Sequence, residues 1–509
     1  MRPDFALYAL ALLPQLGMTV MQSRPLRADT ARYHVTIPAM SSQEIEVDAW
    51  IPVRDGRFFM DSIQAQQLPR GWATFVRRLS VTDSAGHAVP FDAVDAAATW
   101  VLKSPYQGTL HLQYGIDPSY ARGTWPTGPK QSGLFFDSTL YTVTKALFIA
   151  SNALGRIRVD FSLPQGWRLS APWDPLPGSS NGYLVDGGTD LLRNALVIGH
   201  HAEYEIRDGA LTVLLALPGQ MRAAGALLDG AVRKVIHEYM TLLPQTPRSR
   251  VLVSFFYAGT EDGEAFRKSA TFTTADSVTP NSRIVWGNFL AHEIFHHWNG
   301  QAIRGVERNP RQYFNEGFTE YYANRTIART GLVTPALFMQ KMQTHLGLYA
   351  YFRSAPAFAG VSLQDAGNNK TQYRFGVYDG GWTLALCLDG MIREQTHDTK
   401  SLDDFMRRMY DRFGVPDQPY RTEDIARVAG EVAGTDLSEF FRKHVSGSEA
   451  LPISDCLHRM GFEGFGTPYA AEYFVFPGTT ASPAEGGRRA SLTGLRRPRR
   501  ASVPPSSNE

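Results

Sequence analysis

The reading turns on one stretch, Asn288-Phe-Leu-Ala-His292-Glu293-Ile-Phe-His296-His297-Trp298-Asn299-Gly300. Val285, Phe289, His292 and His296 fall at i, i+4, i+7 and i+11, so the two histidines continue one stripe of a helix, with Gly300 placed to end it. Imidazoles one turn apart can share an ion. Zn²⁺ takes nitrogen ligands at about 2.0–2.1 Å and, in a catalytic site, three protein ligands with a fourth position left to water. Glu293, beside the first histidine, is placed to take a proton from that water. His297 lies about 100° further round the helix and is expected to pack or face solvent.

A second helical stretch follows, Asn315-Glu316-Gly317-Phe318-Thr319-Glu320-Tyr321-Tyr322, with Asn315 suited to cap it and Gly331 to close it. Glu316, with 19 residues between it and His296, is the candidate third ligand of a His-His-Glu site. A carboxylate at a helix start can also serve the helix dipole alone, but the coincidence of both motifs favours a ligand. Glu320, one turn on, is read either as the acceptor of a ligand histidine's outer N–H or as a solvated charge.

Working outward, residues 29–219 read as a β-rich N-terminal domain: YHVTI, EIEVDAWIPV, TLHLQYG, RIRVDFSLP and LTVLLALPG are short apolar or alternating runs between turn residues. From Met221 the period becomes helical, giving a catalytic region over 220–345 and a helical region over 346–462. The fold class expected is α+β and multidomain. Residues 463–509 read as an extension whose Pro-, Ser-, Gly- and Arg-rich part, 478–509, is expected to be disordered. Of the 51 basic residues six lie between Arg488 and Arg500; without residues 481–509 the body carries 45 basic against 47 acidic residues, so no nucleic-acid partner is expected. Two cysteines, Cys387 and Cys456, exclude a disulfide framework and a cysteine-based metal cluster. Residues 1–28 include an apolar run from Phe5 broken at Pro14, which reads as a signal peptide and an exported protein; no later stretch is apolar for the roughly 20 residues that span a bilayer.

On His292-Glu293-x-x-His296-x-Trp298-Asn299, Asn315-Glu316-Gly317-Phe318-Thr319-x-Tyr321-Tyr322 and Tyr378-Asp379-Gly380-Gly381, the chain resembles the gluzincin metallopeptidases, most closely the glycyl aminopeptidase family, a relative of the zinc aminopeptidase superfamily. The resemblance implies an N-terminal β-domain, a thermolysin-like catalytic domain and a C-terminal helical domain. It implies one Zn²⁺ per chain on His292, His296 and Glu316, with Glu293 as general base and Tyr378 as donor to the oxyanion. The expected activity is hydrolysis of peptide bonds, as an aminopeptidase; the alternatives are an endopeptidase on the same centre or a non-catalytic peptide-binding relative. Three departures stand out. The His296–Glu316 spacing is one residue longer than is usual in the superfamily, and Gly380 stands where a lysine commonly follows the tyrosine. The strand whose glutamate anchors the substrate's amine in the family corresponds here to FRKSATFTTADSV (266–278), which lacks that glutamate, leaving Asp276 or Glu320 as substitutes or the amine unread.

Overall fold

Side-chain alternation builds the N-terminal half. Strands β1 (Ala31–Thr36) and β2 (Ile45–Val53) bury every second residue and pair antiparallel. They lie in a seven-stranded sheet with β3 (Val76–Thr82) and β4 (Gly108–Ile116) on one side of them and β5 (Arg156–Ser162), parallel to β1, on the other. A four-stranded sheet shares its core, in which Tyr33, Trp72, Tyr141 and Trp173 are fully buried. The computed structural model describes residues 31–39, 43–94, 98–126, 128–136, 138–307, 309–467 and 471–494, so the signal-peptide reading of 1–28 lies outside the described residues.

The next sheet joins the halves. Its strands β6 (His201–Asp208), β7 (Leu211–Pro218), β8 (Arg250–Tyr257), β9 (Asp262–Ala265) and β10 (Ser269–Thr274) stand in the order β6-β7-β8-β10-β9. β7, β8 and β10 run parallel, with helix α1 (Gly225–Leu242) crossing from β7 to β8, and β9 lies antiparallel to β10 at the edge. Because strand side chains alternate, Leu214, Ala216, Leu252 and Phe256 enter the N-terminal core while Val213, Leu215, Val251 and Val253 enter the helical one. The middle of this sheet is thus buried on both faces, which explains the nearly continuous apolar runs of β7 and β8.

The helices of the second core carry the motifs. α2 spans Arg283–Phe295; α3 (Thr319–Arg329) is entered through a π-helical turn at Tyr313–Phe318; α4 (Pro335–Ser354) is capped by the Thr334 hydroxyl on the Leu337 N–H; α5 (Gly381–Gln395) is entered through a second π-helical turn at Phe375–Gly380. The two π turns meet the way small residues permit: a Cβ on Gly317 would stand 2.4 Å from the Gly381 Cα. Phe295 of α2 and Tyr322 of α3 stack with centroids 4.7 Å apart.

Three expectations change. The helix containing Glu316 begins before Asn315, whose side chain donates instead to Glu316 Oε1 (3.0 Å). Gly300, at φ +121°, lies five residues beyond the end of α2, in the turn that follows. The stretch 478–494 is ordered: Ser482 and Glu485 form a capping box on α7 (Pro483–Thr493), Gly494 ends it at φ +73°, and buried Arg488 donates through Nε and Nη2 to both oxygens of Asp398 (2.7 and 3.0 Å). A capping box and a bidentate ion pair hold this segment where composition alone suggested disorder; residues 495–509 lie outside the described residues. The two cysteines, too few for a framework, join as one disulfide between α5 and α6 (Ile453–Arg459).

Candidate metal centre

α2 presents His292 in its last turn and His296 at its end, both less than a tenth exposed. Their outer nitrogens are committed. His292 Nδ1 lies 2.8 Å from Glu320 Oε2 and His296 Nδ1 lies 2.9 Å from the Asn299 carbonyl oxygen. Both partners only accept, so each Nδ1 carries the proton and each Nε2 presents a lone pair. Those lone pairs converge with a third acceptor: Nε2 to Nε2 is 3.1 Å, and Glu316 Oε2 lies 3.3 Å from His292 Nε2 and 3.4 Å from His296 Nε2. Tetrahedral zinc with bonds of about 2.0–2.1 Å sets its ligand atoms about 3.3 Å apart. The triangle fits that ion.

The surrounding charge favours a cation at this point. Burial opposes charge on His292, yet Glu316 and Glu320 hold its pKa up to about 10, so without an ion Nε2 keeps a proton, and a metal ion would take that proton's place. Burial also works against the Glu316 carboxylate, but the Lys370 ammonium, His296 and His292 keep it well below the usual range; Lys370 Nζ donates to Oε1 at 2.8 Å, leaving Oε2 for the centre. Glu320 is likewise held ionised against burial by His292 and His345, and Asn288 and Asn324 donate to it (2.9 and 3.1 Å). Of the two readings of Glu320, the geometry gives the acceptor behind His292. His297 faces away and is buried rather than solvent-facing; burial, Arg248 and His296 lower it to about 3.

Glu293 lines the same cleft, its pKa raised by burial, with His292 and His296 pulling the other way. It rests against β9: a Cβ on Gly263 would come within 2.7 Å of Glu293 Cγ and Oε1. Tyr378, in the second π turn, faces the His292 ring at 6.1 Å between centroids with the rings inclined by 29°, and burial, Glu316 and Glu293 raise its pKa well above the ordinary phenol value. Both Glu316 and Tyr378 thus sit on π-helical turns, a device common at functional sites that residue spacing does not reveal.

The cleft, about 2160 Å³, is walled by both halves of the chain. Its edge strand β9 carries an acid that the sequence reading passed over, Glu264, which accepts a hydrogen bond from Gln131 of the N-terminal half. The stretch 266–278 holds β10, one strand further in. Glu320 is occupied behind His292, and Asp276 is not among the residues lining the cleft, so neither substitutes for the missing glutamate. Asp-Gly-Glu-Ala is too short for a strand pattern, and its Gly and Glu were the available signal.

Fold and centre together support the class the motifs resembled, that of the zinc aminopeptidase-like metallopeptidases. Residues 286–378, from α2 to Tyr378, match the family model described as M61 glycyl aminopeptidase. The chain is similar in structure to an aminopeptidase N family protein from Idiomarina loihiensis, with a TM-score of 0.70 over 86% of this chain and 79% of that one at 16% identity, a likeness of fold. No curated protein matches the chain. Among the described residues no helix is long and apolar enough to cross a membrane.

Proposed function

We propose that the chain is a zinc-dependent peptidase that removes residues from the N-terminus of peptides. The observation that carries this is the convergence of His292 Nε2, His296 Nε2 and Glu316 Oε2 with both Nδ1–H groups committed outward. Zinc held by these three residues would supply Lewis acidity toward the scissile carbonyl and toward water. The other tasks belong to side chains. Glu293 accepts a proton from the attacking water and returns it to the leaving amine; burial raises its pKa toward the range where both transfers are efficient. Tyr378 stays protonated, for the reasons given above, and donates its hydroxyl hydrogen to the oxyanion as it forms. β9, the edge strand of its sheet, lies along the cleft where an extended substrate can run beside it, and Glu264 on that strand accepts the substrate's ammonium, which sets the first peptide bond as the one cleaved. A protein that only bound peptides would have no use for Glu293.

The test combines metal analysis with Glu293→Gln. One zinc per chain is expected in both proteins, with hydrolysis lost in the variant; near-normal turnover would show that another base operates. Peptides with an acetylated N-terminus should lose cleavage by orders of magnitude, and equal cleavage would make the enzyme an endopeptidase on the same centre. An exported, oxidising location is supported by the Cys387–Cys456 disulfide and by the signal-like Phe5–Met21 stretch.

A further inference from the structure

The N-terminal half contributes a charged wall to the cleft. Two pairs on it are closed: Arg193 Nε meets Asp61 Oδ2 at 3.1 Å, and the Lys130 ammonium meets the Asp262 carboxylate. Two further groups beside them meet neutral partners. Lys145, on the short turn Thr144–Ala146, is only 4% exposed, yet its ammonium donates to the neutral side-chain carbonyl of Gln64 and lies 5.9 Å from the Trp72 ring centroid. No carboxylate among the described residues is within ion-pairing reach of it. Glu264 accepts from Gln131, also neutral. Lys145 and Glu264 feel each other's charge and line the same cleft, but no ion pair joins them among the described residues.

Glu264 and Asp61 act on Lys145 only at a distance, and Arg193 opposes them; a buried ammonium with no carboxylate bonded to it is unfavourable, and a ligand that brings one relieves it. We propose that Lys145 and Glu264 together form the subsite for the first residue of the substrate and select an acidic one: the α-ammonium goes to Glu264 and the side-chain carboxylate of an N-terminal Glu or Asp goes to Lys145. This rests on the aminopeptidase reading above. Burial lowers Lys145 to about 8, so at neutral pH the group is still mainly the ammonium that such a carboxylate requires. With an uncharged side chain the α-ammonium faces Lys145 across the subsite with nothing between them. A basic side chain adds a second like charge.

The experiment is kcat/KM for the p-nitroanilides of Glu, Gln, Ala and Lys with the zinc-loaded wild type, Lys145→Met and Lys145→Arg. The wild-type Glu-to-Gln ratio is expected to be about 10 or more, as a charge-assisted hydrogen bond supports. It should fall to about 1 or below in Lys145→Met and stay above 1 in Lys145→Arg. A ratio is independent of how much of each variant folds, and Lys145→Gln takes the place of Lys145→Met if the latter gives no folded protein. A wild-type ratio near 1, or one unchanged by removing the charge, overturns the subsite while hydrolysis of Ala- and Gln-anilides leaves the peptidase reading standing. Failure to hydrolyse any of the four overturns the peptidase reading itself, and the subsite with it.

Discussion

Gly263→Ala tests how closely the general base is held by the edge strand. The backbone at Gly263 is ordinary extended strand, so alanine brings no conformational penalty there, only a methyl group. That methyl would sit 2.7 Å from Glu293 Cγ and Oε1 and 3.0 Å from Cδ. Carbon atoms pack at about 3.5–4.0 Å, so the Glu293 side chain must retreat by about 1 Å. A 1 Å misplacement of a reacting group costs about 10²-fold, which is about 2.7 kcal/mol of barrier. Zinc content should not change, because the metal ligands lie outside the contact. The assay is kcat/KM on an aminoacyl anilide alongside zinc per chain, with Gly230→Ala as reference: it sits on α1 with open space around it and should gain up to about 1 kcal/mol of stability at unchanged activity. If Gly263→Ala retains activity within about threefold of wild type, then either Glu293 is not the base or β9 does not position it, and the reasoning fails.

Glu320→Gln keeps a hydrogen-bond acceptor near His292 Nδ1 but removes the charge; zinc affinity should fall by about 10–100-fold, measured by competition with a chelator, and an unchanged affinity would make Glu320 a packing residue. Arg488→Ala removes the bidentate pair to Asp398 and the bond to the Arg459 carbonyl, and should cost about 1–3 kcal/mol in urea unfolding with activity retained; no loss would mean that α7 does not stabilise the folded chain. His201 provides a pH signature. Burial, then Arg168 and Arg222, lower its pKa to about 3, and Ser170 Oγ lies 2.6 Å from its Nε2, with Glu203 on the same hydroxyl. With an unfolded pKa near 6.5, the stability this neutral imidazole provides is complete above pH ~6.5 and is lost as pH falls toward 3. Between pH 7 and 5 the wild type should lose about 2 kcal/mol more than His201→Gln, and parallel curves would refute the assignment.

Much of the site was legible because its chemistry is local. Two histidines four residues apart share a helix face in any α-helix, so His292, Glu293 and His296 could be assigned from spacing, and the Asn-Glu-Gly stretch supplied Glu316. The apolar runs likewise marked β1, β2, β4, β5 and β7, since strand burial is written in neighbouring residues. What tertiary structure alone decided is non-local. Glu264 gains meaning only because β9 falls at the sheet edge against Glu293 and Gln131 reaches it from 133 residues away. Lys145 becomes a cleft residue only because one sheet is buried between two cores, and Asp398 orders α7 across 90 residues. Periodicity encodes which face of an element is buried; it does not encode which distant element covers that face, and it is there that the substrate-facing charges of this chain were set.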